Sequence, residues 1–148
     1  MTAAPARGFL IALEGVLVRD GAPLAGAVEA LVRLRAMGIP FRILTGGSDR
    51  SAAEWSAWLL MRGFSVDPEE IWILDAPEAL QRAARDLRLP PDAKVVLVGD
   101  AHGVDVTRVR QAGLTAVVIQ AADAPAPGDV DAVATDLNGY LYRLFRIR

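Results

Sequence analysis

Short apolar runs alternate along this chain with segments of helical periodicity, and that alternation limits its folding options more than any other feature. The runs lie at residues 9–13, 41–44, 71–74, 95–98 and 115–119, with Val133 in a short sixth. Between them, Ala22 and Pro23 lead into a helix over 24–37 that Gly38 closes. Ser51 and Glu54 have the spacing of a capping box, which opens a helix ending near Gly63. Pro77 suits the start of a helix running to about Leu87, Gly113 closes one over 104–111, and 137–145 forms the last. Strands that are apolar throughout, interleaved with helices, predict a doubly wound parallel sheet covered on both faces, a three-layer α/β domain. In such sheets the ligand crevice lies beyond the carboxyl ends of the strands. The polar residues at those ends are Glu14, Thr45, Asp75, Asp100 and Gln120.

Composition narrows the function. A chain of 148 residues fits one domain spanning 1–148. Its 53% hydrophobic content supplies a sizeable core, with a surplus that suggests surface buried against a protein partner or a second copy. Sixteen basic and 18 acidic residues give a net charge of −2 with no block of one sign, so nothing points to nucleic acid. The run at 9–18 is too short to span a bilayer and Glu14 interrupts it, so no membrane span is expected. The start of the chain has no signal-peptide pattern, and a cytoplasmic protein is the expectation. With no cysteine, thiolate chemistry and disulfides are excluded. Lys94 is the only lysine.

The most specific local feature is Val98-Gly99-Asp100 followed by Asp105. A strand ending in Gly-Asp, with a second acid at the next helix start, can hold two carboxylates near one divalent cation, and magnesium favours oxygen ligands. The same pattern also makes a common turn.

Ile11-Ala12-Leu13-Glu14-Gly15-Val16-Leu17 resembles the first motif of the haloacid dehalogenase superfamily, an Asp-x-Asp-Gly pattern. Arg19-Asp20-Gly21 with Pro23, then Gly26 to Leu31, is similar to the stretch that follows in the nitrophenylphosphatase-like branch (subfamily IIA). Ile43-Leu44-Thr45-Gly46-Gly47-Ser48 resembles the second motif. Gly63-Phe64 and Pro68-Glu69-Glu70-Ile71 continue the match. Gly99-Asp100 with Asp105 resembles the fourth motif, and Asp131-Ala132-Val133 with Asp136-Leu137 resembles the terminal strand and helix. The resemblance implies a Rossmann-like core, phosphate bound at Thr45, Gly46 and Gly47, and magnesium at Asp100 and Asp105.

The chain departs from that pattern where chemistry would occur. The family's nucleophilic aspartate aligns with Ala12, whose methyl group can neither attack phosphorus nor bind metal. The general acid and base aligns with Glu14, one methylene longer, a shift that disturbs near-attack geometry. The third-motif lysine has no counterpart in Leu74-Asp75-Ala76-Pro77, and Lys94 belongs at the opposite end of the sheet. No room for the inserted cap domain remains between Thr45 and Asp100.

Each candidate also has a plainer reading. Ala12 fits as a small core residue and Glu14 as a solvated loop carboxylate. Thr45 fits as a strand terminator, Asp100 and Asp105 as a turn and a helix cap, and His102 as a solvated loop residue. Trp55 fits the core. Trp58, Leu60 and Met61 spread the apolar surface of their helix beyond one stripe, the mark of a protein interface. The tail over 140–148 mixes aromatics with arginines and suits either a partner or the sheet edge. The resulting expectation is a haloacid dehalogenase-like pseudoenzyme without confident catalytic residues, serving as a structural or regulatory subunit. The alternative is a weak magnesium-dependent phosphohydrolase. A receiver-type signalling domain with Asp75 as phosphoacceptor is disfavoured, because its acid pair and its lysine are both missing.

Overall fold

The computed structural model describes residues 7–46, 50–76, 78–101, 105–125, 128 and 130–145. Its elements in chain order are β1 (Arg7–Ala12), β2 (Val18–Arg19), β3 (Ala22–Pro23), α1 (Ala27–Ala36), β4 (Phe41–Gly46) and α2 (Ala52–Leu60). A 3-10 turn (Pro68–Glu70) follows, then β5 (Ile71–Leu74), α3 (Ala79–Asp86), β6 (Lys94–Asp100), α4 (Val106–Gln111), β7 (Thr115–Ile119), β8 (Ala132–Ala134) and α5 (Leu137–Phe145). Six strands form one sheet in the order β5-β4-β1-β6-β7-β8, with parallel neighbours throughout. The doubly wound α/β fold read from the sequence is therefore the fold of the chain, and no cap interrupts the path from β4 through α2 to β5.

Strand alternation sends successive side chains to opposite faces. Phe9, Ile11, Phe41, Ile43, Val96, Val98, Val117 and Ile119 meet α1, α2 and α5 through Leu31, Leu34, Trp55, Leu59, Leu137 and Leu141. Leu10, Leu44, Leu97 and Ala116 point the other way, toward Ala83 of α3 and Val109 of α4. These are the two outer layers.

The expected capping box is present. The Ser51 hydroxyl accepts from the Glu54 N–H at 3.2 Å, and the Glu54 carboxylate accepts from the Ser51 N–H at 3.1 Å. The largest departure is at the start of α1, expected near Leu24 and found at Ala27. Ala22 and Pro23 are instead drawn into a two-stranded hairpin with Val18 and Arg19. Its two-residue turn, Asp20-Gly21, has φ of 52° and 79°. Positive φ at both positions is what a type I′ hairpin turn requires, and Asp-Gly is a favoured sequence for it. Leu13, expected to end β1, instead makes a tight turn, its carbonyl accepting from both Leu17 and Val18. Gly47, Ser48, Pro77, His102 and Val104 lie outside the described residues.

Candidate functional site

The carboxyl ends of β1, β4 and β6 stand side by side, because β1 pairs with both neighbours. Ala12 is the last residue of β1 and pairs with Leu44, next to Thr45. Hence the position that the sequence resemblance aligns with a nucleophilic aspartate holds a half-buried methyl group. Glu14 follows in the loop, exposed, and forms an isolated bridge with Val18. Gly15 has φ of +83°, and a Cβ added there would lie 2.7 Å from Cβ and Cγ of Asp100. Only a glycine lets this loop approach the end of β6 so closely. The structure therefore brings the β1 loop and Asp100 into contact.

Thr45 is the one buried polar residue of the described core, and its hydroxyl donates to the Gly46 carbonyl at 3.3 Å. Asp105 is exposed and caps α4, its carboxylate accepting from the Arg108 N–H at 3.2 Å. One of its oxygens is thus occupied by helix capping, the plainer of its two readings. Among the described residues, no group of three or more His, Cys, Asp or Glu side chains could hold a metal ion. Asp100 beside a methyl-bearing position 12 is a poor donor set for magnesium, which is held through carboxylates and retained waters. The described residues do not fit the family's metal.

At α2 the candidates divide. Trp58 is half-buried, its ring 5.4 Å from Trp55 in an edge-to-face pair and 3.5 Å from the Arg62 guanidinium. Arg62 also donates to Gly21 O at 2.8 Å, tying the end of α2 to the hairpin tip. The chain itself thus covers much of Trp58. Leu60 and Met61 remain 65% and 86% exposed.

One polar cluster was not assembled from the sequence. Arg42 Nε donates to Asp86 Oδ2 at 2.7 Å, and the Trp72 indole N–H reaches the same oxygen at 3.3 Å. The Arg42 guanidinium beside it holds the Asp86 carboxyl below the usual aspartate range. Arg42 sits in the middle of an apolar strand, and that break in the pattern was the available signal.

Comparison with known proteins agrees with this geometry. Residues 9–115, well over half the chain, match the family described as haloacid dehalogenase-like hydrolase. A human protein, phospholysine phosphohistidine inorganic pyrophosphate phosphatase, is 37% identical over 79 residues. That stretch is 51% of this chain and spans only 29% of the human protein. Among solved structures, NagD from E. coli K-12 has a TM-score of 0.76 at 11% identity, covering 91% of this chain and 98% of that one. A double mutant of the thermostable NPPase from Geobacillus stearothermophilus scores 0.73 at 12% identity, covering 90% and 97%. These structural likenesses speak to the fold, and together with the family match over 9–115 they lead to one conclusion: the chain belongs to the haloacid dehalogenase-like hydrolase family.

Proposed function

We propose that this chain is a degenerate haloacid dehalogenase-like domain that works through protein contacts, as a structural or regulatory subunit, rather than by turning over phosphate esters. The observation that carries the reading is Ala12 at the end of β1, beside the Gly15–Asp100 contact where the reacting group would sit. Covalent phosphoryl transfer divides the reaction through an attacking carboxylate, and a methyl group offers none. The third-motif region supplies no lysine to neutralise phosphate charge, and Lys94 begins β6, paired with Arg7 at the far end of the sheet. Exposed Leu60 and Met61 suit a contact with a protein partner or a second copy.

The alternative, a weak magnesium-dependent phosphohydrolase, draws support from the 37% match to a human phosphatase. In that reading Thr45, Gly46 and Gly47 would cradle the phosphate and water would attack it. A turnover assay with p-nitrophenyl phosphate and a panel of sugar and nucleotide phosphates separates the two. Under the pseudoenzyme reading no phosphoenzyme accumulates and turnover stays far below about 1 per second, an ordinary enzyme value. Turnover at or above that value that disappears in Asp100→Asn would overturn it. Ala12→Asp should strengthen magnesium binding in calorimetry without restoring full activity.

A further inference from the structure

We infer that the cleft between α3 and α4 is a binding site for a small organic cation with an apolar body. The two helices cover the same face of the sheet without closing over it. Between them lies a cavity of about 610 Å³, within the roughly 300–1,000 Å³ range usual for small-molecule sites. Its floor is Leu97 of β6 with Val109 of α4, and Leu74, 37% exposed, stands at its rim. Among the described residues, the charged ones in the lining are Asp75 just past the end of β5, Asp105 at the start of α4, and Arg108.

The charge selects the ligand. Among the described residues of the lining, two carboxylates stand against one guanidinium, an excess of one negative charge. Both carboxylates disfavour an anionic ligand in the cleft, whereas an ammonium group gains from them. The carboxylates also have capacity to spare. One Asp105 oxygen accepts from the Arg108 N–H, which leaves the other available, and the Asp75 side chain forms no hydrogen bond or ion pair among the described residues. An apolar floor with a few polar groups converging on one side is the usual composition of a small-molecule pocket. Ala12, Thr45 and Asp100 are not among the described residues of the lining. Asp105 is shared with the metal pair of the phosphohydrolase alternative, but the test reads binding at Leu97 and Val109 rather than turnover, so the two readings can fail separately.

The test is a methyl NMR titration of the full chain with three probes of similar shape: 4-phenylbutylamine, 4-phenylbutanol and 5-phenylpentanoate. The amine should give saturable shifts at the Leu97 and Val109 methyls, the alcohol weaker ones and the carboxylate none. In Asp75→Asn/Asp105→Asn, which keeps a competent helix cap, amine affinity should fall by about tenfold while that of the alcohol stays unchanged. The inference is overturned if no probe produces saturable shifts at those methyls. It also fails if the carboxylate binds as tightly as the amine, or if the double variant binds the amine as the parent does.

Discussion

The two faces of the sheet are built on different scales. The face under α1, α2 and α5 buries large side chains such as Phe9, Phe41, Phe64, Leu34 and Leu59, all at 1% exposure or less. The face under α3 and α4 buries far less. Its helices turn mostly small residues inward, Ala79 and Ala83 from α3, while α4 contributes Val109 from only 6 residues. Its strands place Gly8 and Ala116 there, along with Arg42, which needs Asp86 as a partner. Leu97 and Leu114 keep 7% and 8% exposure and the α3–α4 cleft stays open. The difference teaches that stability and spare surface are divided between the faces. Buried apolar area on the first holds the fold, which leaves the second free to carry a cavity that a tightly packed layer would have filled.

The largest effect should come from emptying the first face. Leu34→Ala should cost about 4 kcal/mol, because its site is enclosed and cannot collapse, whereas Leu97→Ala should cost nearer 2 kcal/mol beside an existing cavity. Urea denaturation of both variants measures the gap, and equal losses would break the comparison.

A smaller effect concerns how the second face replaces packing with charge. The Asp86 carboxyl is held low by the hydrogen bond from Arg42, so its folded value lies below its unfolded one. The stability it contributes is then fully present above the unfolded aspartate value, about 3.9, and is lost as pH falls through the folded value. The group is partly exposed and solvent screens it, so Asp86→Asn should cost about 1 kcal/mol at neutral pH. The cost should shrink as pH falls through the folded value. A pH series of thermal melts checks this, and a loss that persists undiminished in acid would mean that shape rather than charge is what Arg42 needs.

The smallest expected change in stability is at the exposed end of α2. Leu60→Glu with Met61→Lys should alter unfolding free energy by no more than about 0.5 kcal/mol, as surface changes do. The same pair should abolish association if these side chains meet another chain. Light scattering and co-purification read that directly. A protein that is monomeric and partner-free before and after the change would remove the interface from the proposed function. Trp58 is the poorer probe, since its contacts with Trp55 and Arg62 would be lost as well.

The order of strands and helices, the parallel sheet and the family were all legible from the sequence. They rest on short-range rules: period 2 against period 3.6, a cap and its partner three residues on, and a Gly-Asp at a strand end. Ser51 and Glu54 show this well, for each finds the other within one helical turn whatever the rest of the chain does. The hairpin at Asp20-Gly21 is also within reach of local rules, but Pro23 suits the approach to a helix equally well, and only the pairing of Val18 with Pro23 decides between them. Other features waited on the tertiary structure because their partners are distant in sequence. Asp100 lies against Gly15, Arg42 reaches Asp86, and the end of β5 meets the start of α4 around the cleft. Trp58 makes the same point at closer range. Its spacing marked it as outward, yet Arg62 covers one ring face and is itself held by the Gly21 carbonyl 41 positions away. Periodicity tells which way a side chain leaves its own helix. What it meets there depends on how the other elements pack, and no local pattern encodes that.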